Sequence, residues 1–316
     1  MTPDPTPLAT YRLQFNREFR LEDARAIVGY LSRLGVTHVY SSPLLRARPG
    51  SLHGYDVIDP TMINPELGDE GEFRLLVEAL KAHGMGLILD IVPNHMAAVT
   101  ENRYWQDVLT YGPSSPYARW FDIDWRMPGP KSWGRVLVPV LGAPLPRILA
   151  RDEIGMIWTD GRFTVRYFDH VFPLDPATVP TVCRTGLPRL RERLDPEHPA
   201  LAEIEGILRE LARLPKRPLR LRKHVELPLE LIESRLSQLA RVIEASPLLH
   251  DWADQTAREF TQGAEGRKRL RKLLDMQSYR LVFWRRAARG INYRRFFDIN
   301  DLISIRQEDP QVFEET

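Results

Sequence analysis

Two short loops hold the most closely spaced polar side chains of this 316-residue chain. The residues are His53, Tyr55, Asp56 and Asp59 in the first loop, and Asp90, Asn94 and His95 in the second. Imidazole, carboxylate and amide groups provide directional hydrogen bonds, and a phenol ring provides a flat apolar surface. A carbohydrate needs both, because its rings carry hydroxyl groups and an apolar C–H face. The combination favours a polyhydroxylated ligand.

Each of these residues taken alone also has a structural explanation. Asp90 ends an apolar run, where a charged group needs a partner or a ligand. A carboxylate that only accepts hydrogen bonds from loop amides explains the position equally well. His95 by itself is more typical of a loop histidine whose hydrogen bonds are satisfied. Only the grouping of both loops favours a sugar site.

The elements that must position these loops alternate between strands and helices. Polarity patterns predict strands at 10–15, 36–40 and 85–92 and helices at 21–34 and 69–83. The last strand is continuously apolar, as in a parallel strand buried on both faces. This order predicts right-handed βαβ units on a parallel sheet, either open or closed into a barrel. The carboxyl ends of parallel strands form the ligand-binding face, so the two loops should share one cleft.

The alternation of predicted strands and helices stops after His95. The middle of the chain contains most of the 26 prolines and is predicted to be an insertion. A hairpin is predicted for Ile154 to Phe168 around Asp160-Gly161. Apolar stripes predict helices at 201–211 and 229–243, and a third helical stretch at about 265–289. The basic runs 216–223 and 267–272 are expected on solvated faces, and the tryptophans of this region are expected mainly to pack in the core.

Composition excludes several classes of protein. The balance of 44 basic and 42 acidic residues gives no sign of a polyanionic partner, so no nucleic acid is expected. No apolar stretch is long enough for a membrane span, and the first residues lack a signal-peptide pattern. The single cysteine, Cys183, is expected to be a small packed side chain. A cytoplasmic globular protein without membrane contact is therefore predicted.

Several motifs resemble the α-amylase family, glycoside hydrolase family 13. DIVPNH, from Asp90 to His95, is similar to the first conserved block of that family, and HGYDV, from His53, is similar to its sugar-stacking tyrosine loop. With TYRLQF, SSPLLRARPG and NYRRFFDINDL, they resemble one trehalose-forming branch over nearly the whole chain. The resemblance implies an α/β fold, a (β/α)8 TIM barrel, of which this chain would hold the first three strands with a large, mostly helical insertion after the third.

The resemblance also implies roles for individual residues. Tyr55 would stack on the glucose ring at the scissile subsite, and His53 and Asp56 would shape that wall. His95 would hydrogen-bond a sugar hydroxyl, and Asp90 would orient an arginine from the next strand. Asn94 would fix its loop. No metal and no cofactor are implied in this branch.

The two catalytic carboxyl groups of the family are not found in the sequence. Retaining glycoside chemistry needs a nucleophile and an acid/base about 5 Å apart, and the blocks that carry them in the family have no match here.

We expect a disordered leader at 1–9, a first barrel part at 10–98, an insertion at 99–290 and a return to the barrel at 291–316. We predict that the chain is a fragment, a truncated product or half of a split enzyme. It should be poorly stable by itself, and its expected partner is a complementing carboxy-terminal polypeptide.

The function implied is an intramolecular transfer that converts the reducing-end α-1,4 link of a maltooligosaccharide into an α,α-1,1 link. Two alternatives stay open: an amylase-type hydrolase, and a sugar-binding protein without catalysis. Nucleic-acid binding by the arginine-rich segment 265–295 is a distant fourth.

Overall fold

The computed structural model describes residues 6–127, 133–215, 226–286 and 290–316. These residues form two compact units. The first unit comprises the chain up to Arg103 with 120–122 and 295–316, and the second comprises 104–119 and 123–294. Within the described ranges, no helix is both long enough and apolar enough to cross a membrane.

The first unit is built on a three-stranded parallel sheet. Its elements are β1 (Thr10–Leu13), α1 (Leu21–Arg33), β2 (His38–Ser41), β3 (Leu45–Ala47), β4 (Val57–Ile63), α2 (Glu70–Ala82), β5 (Gly86–Leu89) and β6 (His95–Ala97). The sheet order is β1-β2-β5, with Tyr40 of β2 between Arg12 and Ile88. The predicted alternation of strands and helices and the parallel pairing are therefore confirmed.

Local sequence explains why α2 begins where it does. Asp69 is the N-cap residue, and its carboxylate accepts a hydrogen bond from the Glu72 amide while the Glu72 side chain accepts one from the Asp69 amide. This reciprocal pair satisfies two amides that would otherwise lack partners in the first helical turn. Leu76 and Leu80 then bury the inner face of the helix in the core under the sheet.

The prediction that residues 85–92 are buried on both faces is wrong. Strand β5 covers only Gly86–Leu89, Leu89 is 47% exposed and Ile91 is 67% exposed. Among the described strands, β5 pairs only with β2 and so forms the edge of its sheet. An apolar run is compatible with burial on two faces, but burial also requires neighbouring elements, which the run itself does not provide.

Two antiparallel pairs complete the first unit. Strand β3 pairs with β4, and β6 pairs with a strand at Leu302–Ser304 through the register His95 to Ser304. The loop between β3 and β4 carries His53, Tyr55 and Asp56. The segment after Arg295 therefore returns to the first unit and supports the strand that begins at His95.

The second unit contains helices and short sheets. In chain order its elements are α3 (Arg103–Tyr111, whose first residue belongs to the first unit), β7 (Val136–Leu141), α4 (Leu145–Ala150), β8 (Ile154–Thr159), β9 (Arg162–Tyr167), β10 (His170–Pro173), α5 (Val179–Arg193), α6 (Pro199–Leu211), α7 (Leu229–Glu244), α8 (Pro247–Arg258), α9 (Gly263–Leu274) and β11 (Tyr279–Phe283). The last elements of the chain, β12 (Leu302–Ser304) and α10 (Pro310–Glu315), belong to the first unit.

The hairpin and the helices α6 and α7 confirm three predictions. Asp160 and Gly161 both have positive φ, 52° and 69°, between β8 and β9. Two consecutive residues with positive φ match the right-handed twist of a two-residue hairpin. The apolar stripes of α6 and α7 are buried, including Ile204 and Ile243.

The predicted helix at 265–289 is only partly correct. Helix α9 ends at Leu274, and Tyr279–Phe283 forms strand β11, which pairs in parallel with β7. The apolar spacing that suggested one helix continues by coincidence into a segment rich in aromatic and β-branched residues, which favour strands. Residues 287–289 lie outside the described part of the chain.

The described basic residues lie on a solvated face, and most of the described tryptophans pack in the core, as predicted. Arg267 pairs with Asp152 at 3.1 Å, as expected on a solvated face, whereas the run 216–223 lies outside the described residues. Trp105 and Trp120 are buried, and Trp133 is exposed. Cys183 is a buried free thiol, and burial raises its pKa to about 12.

Candidate sugar-binding site

A cavity of about 590 Å³ lies in the first unit, and both Tyr55 and His95 line it. His53 and Asp56 of the first predicted loop also face it, and Phe296, Ile299 and Asp301 come from the segment that returns to this unit. The two loops singled out in the sequence therefore meet at one cavity.

The Tyr55 loop is held in shape by hydrogen bonds and by one glycine. Gly54 has φ +78°, and a Cβ atom there would lie 2.8 Å from the Pro43 carbonyl oxygen, so a larger residue is both strained and obstructed. The Ser51 hydroxyl donates to Asp56 Oδ1 and accepts from the Gly54 amide. The Tyr55 amide donates to His53 Nδ1 at 3.0 Å. These bonds fix the direction in which the Tyr55 ring leaves the loop.

Asp90 is the centre of a polar cluster on the other side of Tyr55. Its Oδ2 accepts hydrogen bonds from the Tyr55 hydroxyl at 2.5 Å, from Arg12 Nη1 at 3.1 Å and from the Tyr40 hydroxyl at 3.3 Å. Arg12 Nη2 donates to the Tyr55 hydroxyl at 3.0 Å, and the Arg12 guanidinium lies 4.4 Å from the Tyr40 ring centroid. The hydrogen bond to Asp90, followed by burial, raises the pKa of Tyr55, so the phenol stays protonated.

The arginine that contacts Asp90 comes from β1. The sequence resemblance implies instead an arginine from the next barrel strand. Burial lowers the pKa of Arg12, but its hydrogen bonds to Asp90 and Tyr55 outweigh burial and raise it. Arg12 therefore neutralises Asp90 as a permanent cation in this structure.

His95 is 3% exposed and is held from two sides. Its Nε2 lies 3.0 Å from the Tyr55 carbonyl oxygen, and its ring stacks on Phe296 with centroids 4.2 Å apart. A carbonyl oxygen can only accept, so Nε2 carries the proton and Nδ1 is an acceptor. Nδ1 is buried and has no hydrogen-bond partner within the described residues. Burial lowers the pKa of His95, which favours the neutral ring.

The remaining predicted residues occupy different positions. Asp56 Oδ1 lies 3.8 Å from His53 Nδ1, and the His53 and Tyr55 rings stack with centroids 6.0 Å apart. Asn94 is exposed and does not line the cavity, and its backbone carbonyl accepts from the Ile305 amide at 2.8 Å. Asp59 is buried and pairs with Arg103 at 3.3 Å. Asn94 and Asp59 therefore support the loops around the cavity.

Sequence reasoning missed Arg12, Arg48 and Phe296. Arg48 and Phe296 line the cavity, and Arg12 contacts Tyr55 behind it. A charged residue inside a short strand, as Arg12 is within TYRLQF, could have signalled a partner on the neighbouring strand. Phe296 and Arg48 carried no such signal, because nothing local relates them to His95 or Tyr55.

No group of three or more histidine, cysteine, aspartate or glutamate side chains suited to a metal ion occurs among the described residues. The absence of a metal and of a cofactor stays a prediction. The neutral imidazole of His95 and the protonated phenol of Tyr55 can bind hydroxyl groups and present a ring face, whereas the carboxylates of Asp56 and Asp90 already accept hydrogen bonds from the protein.

Residues 26–173 match the family described as the alpha amylase catalytic domain. A Mycobacterium tuberculosis protein with the provisional name maltooligosyl trehalose synthase is 31% identical over 97% of this chain. The chain is therefore similar to the α-amylase family, and its parallel α/β unit agrees with a fold of the TIM-barrel type. It spans only 28% of the length of that curated relative.

Within the family, the chain is similar to maltooligosyl trehalose synthases. The solved maltooligosyltrehalose synthase from Arthrobacter ramosus is 31% identical, with a TM-score of 0.62, over 98% of this chain and 28% of that protein. The intracellular maltogenic amylase of Bacillus subtilis is 42% identical, but over only 30% of this chain and 15% of that protein.

Proposed function

We propose that this chain forms the sugar-binding part of a maltooligosyl trehalose synthase, which converts the reducing-end α-1,4 link of a maltooligosaccharide into an α,α-1,1 link. The observation that carries the proposal is the cavity lined by both Tyr55 and His95. The similarity to synthases over 98% of the chain supports the choice of reaction. The substrate would be a maltooligosaccharide.

In the proposed mechanism, the Tyr55 ring stacks on the glucose unit at the bond that breaks, and His53 and Asp56 shape that wall. His95 hydrogen-bonds a sugar hydroxyl through Nδ1, a buried acceptor without a partner among the described residues, which a sugar reaches when the ring shifts from its buried position. Asp90 and Arg12 hold the Tyr55 hydroxyl, and Asn94 fixes its loop. The nucleophile and the acid/base are assigned to no residue of this chain. Exclusion of water then favours transfer over hydrolysis.

The proposal includes an incomplete barrel. Residues 10–98 would supply its first three strands, 99–290 would be an insertion after the third strand, and 291–316 would return to the barrel. The exposed Leu89 on the edge strand β5 supports this, because a further strand would cover it. A complementing polypeptide would provide that strand and the catalytic carboxyl groups.

A cytoplasmic location is proposed from the single unpaired cysteine.

The first test is binding of maltopentaose to the chain by calorimetry. Tyr55→Ala should weaken binding at least tenfold, because it removes both the stacking surface and the hydroxyl held by Asp90. Tyr30→Ala is the matched control, since Tyr30 is 57% exposed on α1 and does not line the cavity. Equal loss in both variants, or in neither, would contradict a sugar site at Tyr55.

The second test is the reaction. The chain is fused to the remainder of the Arthrobacter ramosus synthase and incubated with maltopentaose while reducing ends are counted. A falling count supports the proposed isomerisation. A rising count identifies a hydrolase. A constant count together with Tyr55-dependent binding identifies a sugar-binding protein without catalysis.

A further inference from the structure

A second cavity, of about 250 Å³, lies within the second unit. One wall is a face of the sheet β8-β9-β10, on which Thr159, Arg162 and Thr164 lie side by side. The opposite wall comes from helices α3 and α7, through Gln106 and Glu233. No residue of this cavity belongs to the Tyr55 site.

The charges of this cavity are mostly balanced. Arg162 Nη2 lies 3.2 Å from Glu233 Oε2, and the Tyr111 hydroxyl donates to Glu233 Oε1 at 2.5 Å. Arg162 is therefore already paired, and the remaining carboxylate of the lining, Asp160, is on an exposed turn. Asp160 accepts a hydrogen bond from the Thr159 hydroxyl at 3.3 Å but keeps its negative charge. A site with a paired cation and this additional carboxylate disfavours phosphate and other anions. The ligand that fits is neutral.

Thr164 provides an observation that points directly to a ligand. Thr164 is 8% exposed, and its hydroxyl makes no hydrogen bond to any residue in the described ranges. A buried hydroxyl without a partner is costly, and such groups are rare in folded proteins. Thr164 lines the cavity, but its hydroxyl has almost no accessible surface, so a hydroxyl group of a bound molecule can supply the missing partner once the Thr164 side chain turns about its Cα–Cβ bond. The Gln106 side chain offers further hydrogen-bonding groups on the opposite wall.

Most of the remaining lining is apolar. Trp158, Val179, Leu236 and Leu239 contribute to it. An apolar wall with a few directional polar groups is typical of sites for small molecules with both a C–H face and hydroxyl groups. The volume limits the ligand to about one or two sugar rings.

We propose that this cavity is a second binding site, for a neutral hexopyranose unit whose hydroxyl groups bond to Thr164 and Glu233. It is distinct from the Tyr55 site and goes beyond the proposed reaction. The cavity would let the second unit bind a glucose or maltose unit independently of the first.

The test is a maltose titration of the full chain carrying Tyr55→Ala, which weakens binding at the first site. Hydrogen–deuterium exchange is followed in peptides covering 159–164 and 229–239. Maltose should protect both peptides, and Thr164→Val should weaken the affinity about five- to tenfold because one hydrogen bond to the ligand is lost. Thr164→Ser, which keeps the hydroxyl, should restore the affinity.

Thr256→Val is the matched control. Thr256 is also fully buried, but its hydroxyl donates to the Trp252 carbonyl at 2.7 Å and it does not line the cavity. This variant should lose stability and keep its affinity for maltose. Absence of protection at 159–164, equal affinity in Thr164→Val, or protection by inorganic phosphate in place of maltose would overturn the proposal without affecting the site at Tyr55.

Discussion

The Tyr55 hydroxyl donates a 2.5 Å hydrogen bond to Asp90 Oδ2 and accepts a 3.0 Å hydrogen bond from Arg12 Nη2. Residues of a loop, of β1 and of the segment after β5 thus meet at one oxygen atom. The Tyr55 ring is 37% exposed at the cavity while its hydroxyl is held from behind. An exposed aromatic face on an anchored ring is suited to stacking, because little conformational entropy is lost when a ligand binds.

Asp90→Asn should weaken this anchor. The amide removes the charge that holds Arg12 and the Tyr55 hydroxyl, so the free energy of unfolding should fall by about 1 kcal/mol. Maltopentaose affinity should fall several-fold. Urea unfolding and calorimetry measure the two effects. Asp169→Asn, at an exposed turn, is the control and should change neither. Unchanged affinity in Asp90→Asn would show that the Tyr55 ring does not depend on Asp90.

Arg12 and Asp90 should also be energetically coupled. Their side chains are 34% and 15% exposed, so solvent screens the pair and the coupling energy should be about 0.5–1 kcal/mol. A double-mutant cycle of Arg12→Gln and Asp90→Asn by urea unfolding measures it. Additive losses would mean that the contact contributes nothing beyond the separate environments of the two residues.

The sequence predicted elements whose signals are local. Apolar residues at helical spacing, among them Leu76 and Leu80, located α2, and Asp160-Gly161 located the hairpin. The strand Tyr279–Phe283 was missed because its apolar residues extend the helical spacing of α9 by chance. Strand identity there depends on pairing with β7, far away in the sequence.

The same distinction applies to the candidate site. Tyr55 and His95 could be brought together because parallel strands share a ligand-binding edge. The contact of Arg12 with Asp90 joins residues 78 positions apart, and its register could not be read from either segment. The stacking of Phe296 on His95 depends on a return of the chain that no local pattern specifies.

Stability should depend on pH through His95. Burial lowers its pKa below the ordinary 6.5, so folding favours the neutral ring. This contribution is complete above pH 6.5 and is lost as pH falls towards the folded-state pKa, because the unfolded chain then binds the proton more readily. His95→Gln should therefore flatten the fall in unfolding free energy as the pH decreases below 6.5. Replacement of the exposed His83 by Gln should leave the pH-dependent decrease of the unfolding free energy as it is in the unmodified chain. Identical slopes in the two variants would contradict a buried neutral His95.

Phe296 and Phe297 form a natural comparison. Phe296 stacks on His95 and lines the cavity, whereas Phe297 is 79% exposed. Phe296→Ala should lower the free energy of unfolding by about 1–2 kcal/mol, since a ring contact and part of its burial are lost, and should weaken maltopentaose binding. Phe297→Ala should stay within about 0.5 kcal/mol. Equal effects would show that the stack on His95 adds no stability.

Gly54 and Gly50 allow the shape of the Tyr55 loop to be tested. Both have positive φ, +78° and +76°, but only at Gly54 would a Cβ atom meet the Pro43 carbonyl oxygen, and at Gly50 no atom lies within 4 Å. Gly50→Ala should cost about 1 kcal/mol from backbone strain alone. Gly54→Ala should cost about 1–3 kcal/mol more, because the loop must move away from Pro43, and it should displace Tyr55 and weaken maltopentaose binding. Urea unfolding and calorimetry of both variants measure the difference. Equal costs with unchanged binding would mean that the loop relaxes freely, so that the position of Tyr55 is set by Asp90 and Arg12 instead.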